Sequence, residues 1–180
     1  MNKIKAIAFD LGGVLIKEND YSLTEKAQIL EKSFGKINNN DEYLDWATKT
    51  TNFSKKEVNQ ITEEIIQNIY DLRDPDIFNY LPKVKLAIAS NHLSAIHKWI
   101  DKSEIRKYFD YILISADIGI GKPNKEFFEK LVSGLGEKKE DILFIDDDIN
   151  NVEGAKKFGL SVLHYNRSKN LTNEVLNALE

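Results

Sequence analysis

The chain has no cysteine among its 180 residues, which excludes disulfides and thiolate chemistry and makes a cytoplasmic setting the expectation. No apolar run approaches the roughly 18 residues that a membrane span needs, and the first residues do not read as a signal peptide. A basic excess is also missing. Lys and Arg number 25 against 29 Asp and Glu, a net charge of -4, which argues against a nucleic-acid partner. No block of like charge forms a tail, and Asn38-Asn39-Asn40 is the one low-complexity patch, read as a loop. The three histidines do not form a ligand set, and no Ser/His/Asp arrangement is present. What remains, 42% hydrophobic and 30% charged, suits one ordinary domain, with or without a small insertion.

Five short runs rich in Ile, Val, Leu and aromatics read as strands, at about 4–9, 84–89, 111–115, 141–145 and 161–165. From the second onward they alternate with helix-like stretches at roughly 94–101, 124–134 and 149–158. Alternation of this kind predicts βαβ units, and so an α/β, Rossmann-like, mostly parallel sheet of about five strands with helices on both faces. Pro123 suits the opening of one helix and Gly159 the end of another.

Between about 17 and 75 no strand-like run is found. Leu23, Ala27, Leu30 and Phe34 recur at helical spacing, as do Val58, Ile61, Ile65, Ile66 and Ile69. Tyr43, Leu44, Trp46 and Ala47 suggest a short helix between them. Ser54 and Glu57 make a capping box, and Asp74-Pro75 marks the return to the sheet. The expected organisation is a core of residues 1–16 and 76–180, with a small all-α cap, 17–75, inserted after the first strand. An insertion beginning beside the first strand tip reads as a lid; helices that merely cover the sheet are the alternative.

The chemistry lies at strand ends. Phe9-Asp10-Leu11-Gly12-Gly13-Val14 follows the apolar run Ile4 to Ala8 and places a carboxylate at the C-terminal tip of a buried strand. Three later strands also lead to polar groups: Ser90-Asn91, the loop reaching Lys122-Pro123, and Asp146-Asp147-Asp148. A carboxylate attacking phosphorus needs its own charge screened, its target neutralised and the transition state held in line. A divalent cation meets the first need, and Asp146 and Asp147 offer it hard oxygen ligands. Successive aspartates repel one another without a cation. Asp148, furthest into the next helix, suits a helix N-terminus instead.

Ser90-Asn91, before a helix starting near Ser94, can hold phosphate oxygens or cap that helix. Lys122 follows Gly119-Ile120-Gly121 and supplies a point charge for phosphate, although the order of a Walker loop is missing. Of the histidines only His92 is near, where it can cap its helix or touch substrate.

With those residues in order, the chain resembles the haloacid dehalogenase superfamily, in its phosphatase branch with a helical cap after the first strand. Four motifs carry the likeness: Phe-Asp-Leu-Gly-Gly-Val-Leu at 9–15, Ala-Ser-Asn at 89–91, Gly-Lys-Pro at 121–123 and Phe-Ile-Asp-Asp at 144–147. Ser115 to Gly119 and Asn151 to Ala155 look like the subgroup containing α-D-glucose-1-phosphate phosphatase. The resemblance implies Asp10 as nucleophile and Mg²⁺ ligand, with Ser90, Asn91 and Lys122 holding phosphate. It also implies the Gly12 carbonyl and Asp147 as metal contacts, with Asp146 beside them as a ligand or through water. The implied substrate is a small phosphate ester such as a sugar phosphate.

One departure from the family pattern matters. Most phosphatases of this family carry a second Asp two residues after the nucleophile as general acid, and this chain has Gly12 there. Two other readings stay open: a 2-haloacid dehalogenase, which needs no paired acids on the fourth motif, and a phosphate-sensing or partner-binding protein with a weakened site. Asn19, Tyr21, Tyr43 and Trp46 are the candidates for substrate contact from the cap, with core packing the other role for the last two.

Overall fold

The computed structural model describes residues 4–180. Its strands are β1 (Ala6–Phe9), β2 (Ile16–Glu18), β3 (Tyr70–Leu72), β4 (Lys85–Ser90), β5 (Tyr111–Ile114), β6 (Ile142–Asp146) and β7 (Ser161–His164). Its first four α-helices are α1 (Glu25–Glu31), α2 (Asn40–Thr51), α3 (Lys55–Asn68) and α4 (Ile96–Lys102). The others are α5 (Ser115–Ile118), α6 (Lys125–Leu135), α7 (Ile149–Phe158) and α8 (Leu171–Leu179). Among the described residues no helix is long and apolar enough to cross a membrane.

Five strands form the expected α/β sheet, in the order β5-β4-β1-β6-β7, and all four pairings are parallel. Residue size sorts the two faces. On one, Ile7 and Phe9 pack with Ile88, Ile145, Trp99 and Ile100. On the other, Ala6, Ala8, Ala87 and Ala89 are small enough to admit Phe127, Phe128 and Phe144. Each such buried phenylalanine contributes about 1.5–3 kcal/mol. The register sets Phe9 beside Ile88 on one side and Ile145 on the other. The C-terminal tips of β1, β4 and β6 therefore lie side by side, where an open parallel sheet keeps its crevice.

The region between β1 and β4 corrects three expectations. It contains strands: β2 pairs antiparallel with β3, with Ile16 opposite Leu72 and Glu18 opposite Tyr70. Each is three residues long, too short for an alternating pattern to register, and pairing rather than burial defines them. The asparagine patch is a helix start and not only a loop, because the Asn39 side chain accepts from the Asp41 and Glu42 N–H groups. It opens an α2 of 12 residues, longer than the helix suggested around Trp46. The Ser54–Glu57 capping box of α3 forms in both directions.

Ala27, Leu30, Tyr43, Ala47, Val58 and Ile65 give this helical insert its own core. Leu93, from the loop after β4, joins that core, and Asn40 Nδ2 donates to the Ser94 hydroxyl at 2.7 Å. The insert is thus seated on the loop that follows β4.

Beyond the sheet, α8 follows the last strand. Leu171 and Val175 bury it in the first face. Asp74 accepts from the Thr172 hydroxyl at 2.6 Å and from its N–H at 3.3 Å, which pins the start of α8 to the end of the insert.

Candidate active site

Asp10 stands one residue past β1, its N–H donating to the Ile145 carbonyl at 2.8 Å. One carboxylate oxygen, Oδ1, accepts from the Leu11 N–H at 2.7 Å and meets Lys122 Nζ at 2.9 Å. Oδ2 has no protein partner among the described residues, and Asp10 lines a cavity of about 380 Å³. Gly12, Gly13, Ser90 and Asn91 share that lining. One oxygen is tethered and the other presented.

Lys122 is wholly buried between two acids: its Nζ lies 2.6 Å from Asp146 Oδ2 as well as 2.9 Å from Asp10. Burial is the largest influence on this ammonium and pulls its pKa down. The charges of Asp10 and Asp146 oppose that pull, and the net direction is up. Lys122 therefore stays charged. Its loop is clamped by Asn91, whose Oδ1 accepts the Lys122 N–H at 2.8 Å and whose Nδ2 donates to the Lys122 carbonyl at 2.9 Å. The Asn91 amide thus holds the lysine's backbone. Neither Ser90 nor Asn91 caps α4, which starts at Ile96 with Ala95 before it.

Asp146 is fully buried and saturated. Besides Lys122, it accepts from the Asp148 N–H at 2.8 Å and from Asn151 Nδ2 at 3.3 and 3.2 Å. Burial first, and the neighbouring Asp10 charge second, push its carboxyl up, with Lys122 opposing. Asp147 turns the other way, taking Arg167 Nε at 2.6 Å on Oδ2. Asp148 is the N-cap of α7, accepting from the Asn150 N–H. The three aspartates have three distinct jobs.

One oxygen from each of Asp10, Asp146 and Asp147 lies within 4.8 Å of the others. All are hard donors, the set that magnesium takes. The turn around them is tight on one residue only. Gly13 has φ +81, and a Cβ there would meet Arg167 Nη2 at 2.6 Å and Asp147 Oδ1 at 2.7 Å. Gly12 is not at positive φ and would place a Cβ in open space.

Sequence reasoning missed three residues here. Arg167, three residues past β7, lies on a fifth strand tip, so the sheet pattern held a signal for it. Asn151 sits in the motif after the acids, but nothing local tells that its amide reaches back to Asp146. Tyr70, on β3, lines the cavity from the insert side with Glu31 and Phe34. Asn19 and Tyr21 border a different hollow. Tyr43 is buried against Thr62 at 2.7 Å, and Trp46 packs against the insert core.

His92 neither caps α4 nor offers an acid. Burial holds its pKa down at about 4, so the ring is neutral near pH 7. The unfolded ring titrates near 6.5. Stability is therefore full above about pH 6.5 and lost as pH falls through about 4, because only the unfolded chain takes the proton in that window. The gap between 6.5 and about 4 corresponds to roughly 3 kcal/mol. His92→Gln is expected to lose less Tm than the wild type between about pH 7 and about pH 4. Equal losses would assign the acid sensitivity elsewhere.

Comparison with known proteins adds the family. The phosphorylated carbohydrates phosphatase of Thermotoga maritima is 22% identical over 184 residues, covering 89% of this chain and 84% of that protein. The phosphoglycolate phosphatase of Aquifex aeolicus is 28% identical over 178 residues, covering 87% and 82%. A HAD family enzyme from Bacteroides thetaiotaomicron, solved in complex with magnesium and inorganic phosphate, superposes with a TM-score of 0.71. It shares 20% identity over 94% of this chain and 98% of that one, a likeness of fold. The family model for haloacid dehalogenase-like hydrolases matches residues 4–159. On that match the chain belongs to the haloacid dehalogenase-like hydrolase family.

Proposed function

We propose that the chain is a magnesium-dependent phosphomonoester hydrolase that works through an aspartyl-phosphate on Asp10. The observation that carries this reading is the asymmetry of the Asp10 carboxylate. Oδ1 is held by Leu11 and Lys122 while Oδ2 is left free, which is the arrangement of an oriented nucleophile. Lys122 screens the carboxylate and the incoming phosphoryl group together. Ser90, at the buried tip of β4, and the backbone of Asn91 border the space where phosphate oxygens would sit.

Asp10, the Gly12 carbonyl and Asp147 would hold the ion, with Asp146 beside them. When bound, magnesium supplies Lewis-acid neutralisation of phosphoryl oxygens. Asp146 and Asn151 keep Lys122 in place, and Arg167 orients Asp147. The helical insert acts as the cap, and its wall of Glu31, Phe34 and Tyr70 contacts the alcohol part of the ester. The relatives named for phosphorylated carbohydrates and phosphoglycolate support a small phosphorylated metabolite, such as a sugar phosphate, as substrate.

Phosphate release from an aryl phosphate tests the reading. Release is expected with Mg²⁺ and should fall by about 10²-fold or more in EDTA, since lost charge stabilisation is worth several kcal/mol. Full activity in EDTA would overturn the metal requirement. Chloride release from a 2-chloro acid without phosphate release would favour a dehalogenase, and silence in both assays would favour a binding protein.

A further inference from the structure

We infer that the Tyr70 hydroxyl gives the proton to the leaving-group oxygen, filling the role left vacant at Gly12. A backbone N–H fixes the tautomer of His92. Leu93 N lies 2.9 Å from His92 Nδ1, and a backbone N–H can only donate. Nδ1 must therefore be bare, because a proton there would face the Leu93 N–H directly. The 3.3 Å approach of Nδ1 to the Leu93 carbonyl is then no hydrogen bond. A neutral ring with a bare Nδ1 carries its proton on Nε2.

That nitrogen lies 3.2 Å from the Tyr70 hydroxyl, so His92 donates and the phenolic oxygen accepts. The phenolic proton must point elsewhere. Among the described residues no protein acceptor takes it, and Tyr70 lines the cavity that contains Asp10, Gly12 and Ser90. A chain of donors thus runs from the Leu93 amide through His92 and Tyr70 into the reaction space. The phenol is also kept protonated: burial first, then the charges of Glu31 and Glu18, hold it above its ordinary range. Aromatic contacts fix its place, with the Tyr70 ring edge-on to Trp99 at 6.2 Å and to His92 at 6.0 Å.

The step balances. Asp10 Oδ2 bonds to phosphorus as the ester P–O bond breaks. The electron pair stays on the ester oxygen, which takes the Tyr70 proton and leaves as the alcohol. Water then attacks the aspartyl-phosphate, gives its proton to the tyrosinate and releases inorganic phosphate, which regenerates Asp10 and Tyr70. This inference rests on the phosphatase reading above and adds the identity of its acid.

The experiment is a leaving-group series, from aryl to alkyl phosphates, measured as kcat/KM in Mg²⁺ for wild type and Tyr70→Phe. The loss in the variant should grow with the pKa of the alcohol. It should be at most about tenfold on the best aryl leaving group and about 10²- to 10⁴-fold on an alkyl ester. Gly12→Asp in the Tyr70→Phe background should recover part of the alkyl rate, because that side chain enters open space. A loss of the same size across the series, or no loss, would overturn the assignment to Tyr70. Absence of aryl phosphate turnover in the wild type would instead overturn the parent reading, so the two failures are distinguishable.

Discussion

Asp10→Asn is expected to abolish turnover while the protein stays as stable as the wild type, or becomes slightly more so. An amide cannot form the acyl-phosphate, and loss of a nucleophile that works with its neighbours as a unit costs on the order of 10⁵-fold or more. Stability follows from the local charge count. Lys122 is shared between Asp10 and Asp146, at 2.9 and 2.6 Å, so this buried trio carries one surplus negative charge. The substitution leaves a neutral Lys122–Asp146 pair and removes the Asp10 charge that helps push the Asp146 carboxyl up. The asparagine oxygen can still accept from the Leu11 N–H and from Lys122. Steady-state phosphate release and thermal melts check both halves. Beryllofluoride, a phosphoryl mimic, should bind the wild type and not the variant. Comparable rates for the two proteins would rule out covalent catalysis.

The parts of this fold that could be read from the sequence are the parts the physics makes redundant. Strands buried on both faces must be apolar throughout, so β1, β4 and β6 stand out as runs such as Ala6–Phe9 and Ile142–Ile145. The alternation of those runs with helices then forces their tips together. A three-residue ribbon that mixes buried and exposed positions has no such signature. β2 and β3 are recognisable only once Glu18 and Tyr70 are seen facing each other.

The site divides along the same line. Asp10 and the acids after β6 announce themselves because carboxylates in sequence at a buried strand end demand an explanation. What balances them is assembled from afar. Lys122 is 24 residues from Asp146, and Arg167 is 20 from Asp147. Asn91 reads as a phosphate ligand in sequence, whereas its amide is spent on the Lys122 backbone 31 residues away. His92 shows the limit most clearly. Its nearness to the site was legible, but the desolvation that disarms it and the hydroxyl it serves belong to the folded chain.

Lys122→Met should damage stability and catalysis together, in contrast to Asp10→Asn. The thioether side chain fills much of the same space, so the effect isolates the charge. It leaves Asp10 and Asp146 facing each other in a buried pocket without their cation, and stripping one partner from a buried ionic cluster costs about 3–5 kcal/mol. Turnover should fall by about 10³-fold, the upper range for losing one fixed charge-stabilising donor. The direction with pH is also set. In the wild type the Asp146 carboxyl is already pushed up by burial and by Asp10, with Lys122 working against that rise. Without Lys122 it rises further, so the folded variant holds a proton that the unfolded chain releases. Stability is then greatest below the ordinary carboxyl value of 3.8 and is lost as pH rises through the raised one. The Tm deficit of Lys122→Met against wild type should therefore narrow on acidification from neutral pH. Adding Asp10→Asn to Lys122→Met removes one of the two unpaired charges and should recover part of the lost Tm at neutral pH, a coupling that neighbouring charges show and distant ones do not. A deficit independent of pH, unrelieved by Asp10→Asn, would mean that the cost is one of packing and that Lys122 is not the counter-charge of this site.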